Sequence, residues 1–158
     1  MRTSNLFTPF TLPIDHSLLV VDSDPRFGSR LVEYFKRREL YARFVAGTNV
    51  ARHLITAMNP AVAVVEYCNS RKQVESLCAF IRRCGCPTEI ILTCSRHSKD
   101  TERNARRLAP AFYFIKPFNE DDLYAVVLRI LEKQCRSESG AACFFQRRRA
   151  ESPLTNLC

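Results

Sequence analysis

SLLVVDSDP, residues 17–25, holds an apolar run, two carboxylates separated by a serine, and an Asp-Pro pair. The run Leu18, Leu19, Val20, Val21 shows no polar alternation. Such a run suits a strand covered on both faces, as in a parallel sheet. Asp24 before Pro25 fits a helix start, because an Asp side chain accepts from free backbone N–H groups and proline is preset for the first helical position. The stretch therefore reads as a buried strand, an acidic turn and the first turn of a helix.

Four further runs follow at roughly regular spacing: LYARFVA (40–46), AVAVV (61–65), EIILT (89–93) and AFYFI (111–115). Helical stripes lie between and after them. Phe27, Leu31, Tyr34 and Phe35 form one, Val74, Leu77, Cys78 and Ile81 another, and Leu123, Val126, Val127, Ile130 and Leu131 a third. Segments 48–58 and 98–108 are more polar and carry a weaker period. Alternating strands and helices predict a doubly wound α/β domain with helices on both faces.

The chain has 158 residues, 46% of them hydrophobic, enough for one domain with a real core. Residues 1–16 read as an N-terminal extension, 17–132 as the domain, and 133–158 as a basic, flexible C-terminal tail. No run approaches the ~20 apolar residues that cross a bilayer. The N-terminal stretch lacks the apolar core of a signal peptide, so a cytoplasmic location and no membrane partner are expected. The net charge is +8, of which the domain carries +5 and the tail +3. Its local density is greatest at residues 36–38, 103–107 and 147–149, which nucleic acid or an acidic protein could exploit.

Eight cysteines include one Cys-x-Cys, Cys84 and Cys86, and no Cys-x-x-Cys. His16, His53 and His97 lie near no cysteine cluster, so the spacing predicts no zinc site. The cysteines read as reduced cytosolic thiols. Cys68 and Cys94 follow neighbouring strands, which leaves a disulfide between them open.

Ligands of open parallel sheets sit beyond the carboxyl ends of the strands. The first strand places Asp22, Ser23 and Asp24 there, the third Glu66, the fourth Thr93 and Cys94, and the fifth Lys116. Singly, Asp24 is a helix cap and Lys116 a surface lysine. Together, the acids, hydroxyl and lysine converge from distant segments.

At these residues the sequence resembles the receiver domain of bacterial two-component response regulators. LLVVDSDP, AVAVV after Asn59-Pro60, IILTC and FYFIKPF carry the resemblance over residues 17–132, and the strand ending in Lys-Pro-Phe is the most specific. It implies a flavodoxin-like, five-stranded parallel sheet of order 2-1-3-4-5, phosphorylated on an Asp at the end of the third strand with Mg²⁺ held by an acidic pair. Asp22 matches the first acid of that pair. Ser23 stands at the second, metal-binding acid, and Glu66 at the phosphoacceptor. Cys68 would supply a metal-binding carbonyl, Thr93 matches the hydroxyl that contacts the phosphoryl group, and Tyr113 matches the switch aromatic. Lys116 matches the motif lysine, with a cis bond expected to Pro117.

The departures predict a degenerate pocket, a pseudo-receiver. Mg²⁺ demands oxygen ligands in tight geometry, and Ser23 removes a charged one. Mg²⁺ binding should be weak or absent, with Asp22, Glu66 and the Cys68 carbonyl as weak candidates. Glu66 reaches about 1.5 Å further than Asp, and a misplacement of about 1 Å can cost ~100-fold. The expectation is signalling by protein contacts independent of phosphorylation, with Glu66 reaching Lys116 and Thr93 and no enzymatic activity. The resemblance also implies partner or homodimer contacts on the face of the fourth helix, fifth strand and fifth helix. There Lys99, Arg103, Arg106 and Arg107 oppose Glu120, Asp121 and Asp122. The competing reading is a DNA-binding or transcription-associated regulator using the basic surface and tail. A phosphate-ester hydrolase ranks last, because the four glycines are scattered and form no phosphate loop.

Overall fold

A computed structural model describes residues 17–67 and 71–149, with side chains to residue 137. The elements are β1 (Ser17–Val21), α1 (Pro25–Lys36), β2 (Tyr41–Val45), α2 (Thr48–Met58), β3 (Val62–Glu66), α3 (Arg71–Arg83), β4 (Glu89–Cys94), α4 (Lys99–Arg107), β5 (Phe112–Ile115) and α5 (Glu120–Arg149). The five strands are parallel in the order β2-β1-β3-β4-β5, as expected.

The uninterrupted apolar runs split by parity. Leu18, Val20, Val62, Val64 and Ile91 face α1 and α5, meeting Leu31, Phe35, Leu123, Val127 and Leu131. Leu19, Val21, Ala63, Val65 and Leu92 face α2, α3 and α4, meeting Ile55, Val74, Leu77, Ile81 and Ala105. Both faces are thus covered, which is why β1, β3 and β4 show no polar alternation. Central strands deliver their last residues into the gap between helix layers, and that gap is where the polar rim lies.

Of the two weak helices, α4 rests on local devices more than on an apolar stripe. Ser98 caps α4 by accepting from the Thr101 N–H at 3.0 Å. Asp100 and Glu102 sit in the first turn of α4, and Arg106 and Arg107 in the last, complementing the helix dipole. Only the small Thr101 and Ala105 are buried there. Helix α2 stops at Asn59 in the left-handed region, φ 48°.

The domain boundary drawn at residue 132 falls inside α5, which continues to Arg149. Residues 133–137, counted with the tail from sequence, extend the helix. Gln134 Nε2 donates to the Pro87 carbonyl at 2.8 Å and the Ala61 carbonyl at 3.2 Å. The polar composition after Glu132 hides this, because the tether runs through an amide side chain and not through an apolar stripe. The extension 1–16 and the end of the tail lie outside the described residues.

Candidate functional site

Three strand ends bring the predicted residues together. Asp22 follows β1, Glu66 closes β3, and Lys116 follows β5 across a cis bond to Pro117. Lys116 Nζ lies 2.5 Å from Asp22 Oδ2 and 3.7 Å from Glu66 Oε1. The Lys116 ammonium also sits 3.8 Å above the Phe27 ring centre, a cation–π contact that fixes its approach from α1. Asp22 is 2% exposed. Its second oxygen, Oδ1, accepts from the Asp24 N–H at 2.9 Å, and Asp24 in turn caps α1 through the Arg26 N–H at 2.9 Å.

Glu66 is held by hydroxyls. Its Oε2 accepts from the Ser23 N–H at 3.0 Å and from the Ser23 hydroxyl, and Oε1 accepts from the Ser95 hydroxyl at 3.1 Å. All four carboxylate oxygens of the two acids therefore have donors or the ammonium beside them. Burial pushes the Glu66 carboxyl up, but the Ser23 bonds, the Lys116 charge and the Ser95 bond outweigh it and hold it below its usual 4.5. Asp22 goes the other way. Burial raises it above 3.8 despite its bonds to Lys116 and Asp24.

Two expectations are corrected here. Glu66 does not reach Thr93, although the two are register partners on β3 and β4. Thr93 is fully buried, and its Oγ1 has no hydrogen-bond partner among the described residues. The longer side chain carries the carboxylate outward to Ser23 and Ser95. Glu66 does reach Lys116, at 3.7 Å, although Asp22 is the nearer partner at 2.5 Å. Ser23, read from sequence as a lost ligand, is the main donor to Glu66. Ser95 was missed altogether; its only signal was a hydroxyl two residues after the strand residue aligned with Glu66.

The Tyr113 hydroxyl is buried and also lacks a partner among the described residues, and its ring centre lies 6.4 Å from that of His97. Cys68 lies outside the described residues. Cys94 is disulfide-bonded, the outcome the sequence left open for it beside the reduced-thiol reading, while Cys78, Cys84, Cys86 and Cys135 are free. Beside the rim a recess of about 50 Å³ is lined by Asp22, Ser23, Gly47, Thr48, Glu66 and Gln73. Organic ligands need roughly 300–1,000 Å³.

Solved structures share this arrangement of strands and helices. A CheY-like response regulator receiver domain from Methanospirillum hungatei superposes with a TM-score of 0.69 at 15% identity, covering 77% of this chain and 98% of that one. The receiver domain of Francisella response regulator 1452 gives 0.67 at 20% identity, covering 75% and 98%. This chain has the receiver fold. A DNA-binding response regulator of the LuxR family from Staphylococcus aureus gives 0.64 at 14% identity, covering 73% and 98%. No protein-family model matches the sequence. On the receiver fold, Asp22, Glu66, Thr93 and Lys116 occupy the carboxyl edge of the sheet as the Lys-Pro-Phe resemblance implied. Among the described residues, no helix is long and apolar enough to cross a membrane.

Proposed function

We propose that this chain is a receiver-type signalling module of the two-component class that works by protein contacts and is not itself phosphorylated or enzymatic. One observation carries the reading. The charged rim is closed on itself, with Lys116 on Asp22 and two serines on Glu66. The donor set does not fit a divalent cation. Its two carboxylates are engaged, and no group of three or more His, Cys, Asp or Glu is placed to hold a metal among the described residues. A cation entering would displace an ammonium or strip two hydroxyl donors, and Mg²⁺ also sheds its own water reluctantly.

Partner contacts fall on the face of α4, β5 and α5, in the cytoplasm. Phe112 and Ile115 stand 45% and 44% exposed on β5. Four of its charges have partners within the chain. Arg103 pairs with Asp100 and Arg106 with Glu102, while Glu120 pairs with Arg30 and Asp121 with Arg38. Lys99, Arg107 and Asp122 lie on the same face, so opposite charges add to the contacts of two copies there. Contacts there rest on the apolar edge as well.

Calorimetric titration with Mg²⁺ tests the reading. The native chain gives no saturable binding heat. Ser23→Asp combined with Glu66→Asp restores a carboxylate pair of ordinary reach and gains one. Saturable Mg²⁺ binding to the native chain at millimolar concentration contradicts it.

A further inference from the structure

The loop between α3 and β4 holds a second chemical cluster, at the edge of the sheet away from the charged rim. Cys84 follows the last residue of α3, Gly85 turns the chain at φ 70°, and Cys86 returns it toward Pro87. Cys84 is exposed and Cys86 half-buried, and both are free thiols. Their sulfurs lie 2.9 Å apart. A disulfide bond is about 2.05 Å, so a small rotation of either side chain brings the two to bonding distance. The Cys84 thiol donates to the Ile81 carbonyl at 3.1 Å, which holds it over the loop. Beyond its two chain neighbours, no atom lies within 4 Å of where a Cβ on Gly85 would stand. The turn therefore has both the space and the backbone freedom to follow ring closure. A metal reading is poorer, since structural zinc takes four ligands and no third ligand is placed beside the pair among the described residues.

We propose that Cys84 and Cys86 form a reversible dithiol–disulfide couple whose co-substrate is a low-molecular-weight disulfide of the glutathione class. The thiolate of one cysteine attacks a sulfur of the small disulfide. That bond breaks, one small thiol leaves, and a mixed disulfide remains on the protein. The neighbouring thiolate then attacks the protein-borne sulfur. The Cys84–Cys86 bond forms and the second small thiol leaves. Two electrons pass from the protein to the small disulfide, and the two protein thiol protons end on the two released thiols. The arrangement makes the second step faster than capture of a further small molecule, because the second thiol is already in contact. Cys78 provides an internal contrast. It is fully buried, out of reach of a small disulfide, whereas Cys84 is exposed.

The test uses the full chain in buffers of reduced and oxidised glutathione, quenched with acid and alkylated, with sites located by fragmentation mass spectrometry. The wild type is expected to lose alkylation at Cys84 and Cys86 together, two hydrogens lighter and with no glutathionyl group retained. Cys86→Ser should arrest the reaction as a stable glutathionyl adduct on Cys84, and Cys84→Ser as an adduct on Cys86. Added reductant should return both thiols. Stable glutathionyl adducts on the wild-type pair overturn the proposal. So do cross-links from either cysteine to a different one, or alkylation at both that persists as it does at Cys78. The decisive readout is on the unmutated chain, so it does not depend on a variant folding.

Discussion

The buried rim and the α1–α5 seam are both built from opposite charges, yet they answer to different physics. At the rim, Lys116 and Asp22 have side chains 13% and 2% exposed. On the seam, Arg38 stacks 3.7 Å over the Tyr34 ring centre and pairs with Asp121 at 3.0 Å, with Arg38 36% and Asp121 67% exposed. Arg30 and Glu120 close the same seam at 2.9 Å. Water screens the seam, so each pair there stabilises little. The rim has little water, so each of its charges depends on its partner. Removing one side of a pair should therefore be costly at the rim and nearly silent on the seam.

The largest effect is expected from Lys116→Met. It leaves Asp22 buried and uncompensated, and urea unfolding should show a loss of about 3 kcal/mol. Adding Asp22→Asn should recover a large part of it. A loss below about 1 kcal/mol in the single variant would place the rim in the same class as the seam.

Ser23→Ala comes next. It removes the hydroxyl bond to Glu66 and keeps the backbone one, and bonds to charged groups are worth about 1.5–3 kcal/mol. A destabilisation near the low end is expected in the same urea measurement. No change would mean that the hydroxyl contact is dispensable.

Acid behaviour sharpens the comparison within the rim. Glu66 titrates lower folded than its ordinary 4.5. Its contribution is complete above that value and is lost as pH falls through the lower folded pKa. Asp22 titrates higher folded than its ordinary 3.8. Its ionised form therefore carries a cost that is absent below 3.8 and complete once pH exceeds the raised folded pKa. Glu66→Gln should thus flatten the fall in stability below pH 4.5, and Asp22→Asn should remove an opposing contribution that acts above pH 3.8, up to the raised folded value, and steepen the fall there. Urea midpoints collected across that range check both signs.

The smallest effect belongs to the seam. Asp121→Asn should cost under about 1 kcal/mol, and the cost should shrink further in high salt. A loss as large as that of Lys116→Met would erase the distinction between the two regions.

Much of this was legible in the sequence, because apolar runs and helix starts report on burial and local hydrogen bonding. The five strands, their order and the Asp24 cap followed from such signals together with the family resemblance, as did the cis Lys116–Pro117 bond. The convergence of Asp22, Glu66 and Lys116 followed from strand ends. Which oxygen meets which donor did not. Glu66 and Thr93 are aligned in register, yet the extra methylene lets the carboxylate swing to Ser23 and Ser95, a rotamer choice that composition does not encode. The Phe27 ring under Lys116 was equally hidden, since Phe27 reads as one member of an apolar helix stripe. The run of α5 past Glu132 was missed because its tether is a single glutamine.

Incubation with acetyl phosphate and Mg²⁺, followed by intact mass, decides whether the closed rim accepts a phosphoryl group. The native chain should show no stoichiometric gain of a phosphoryl group. A stoichiometric gain that disappears in Glu66→Ala would contradict the closed rim.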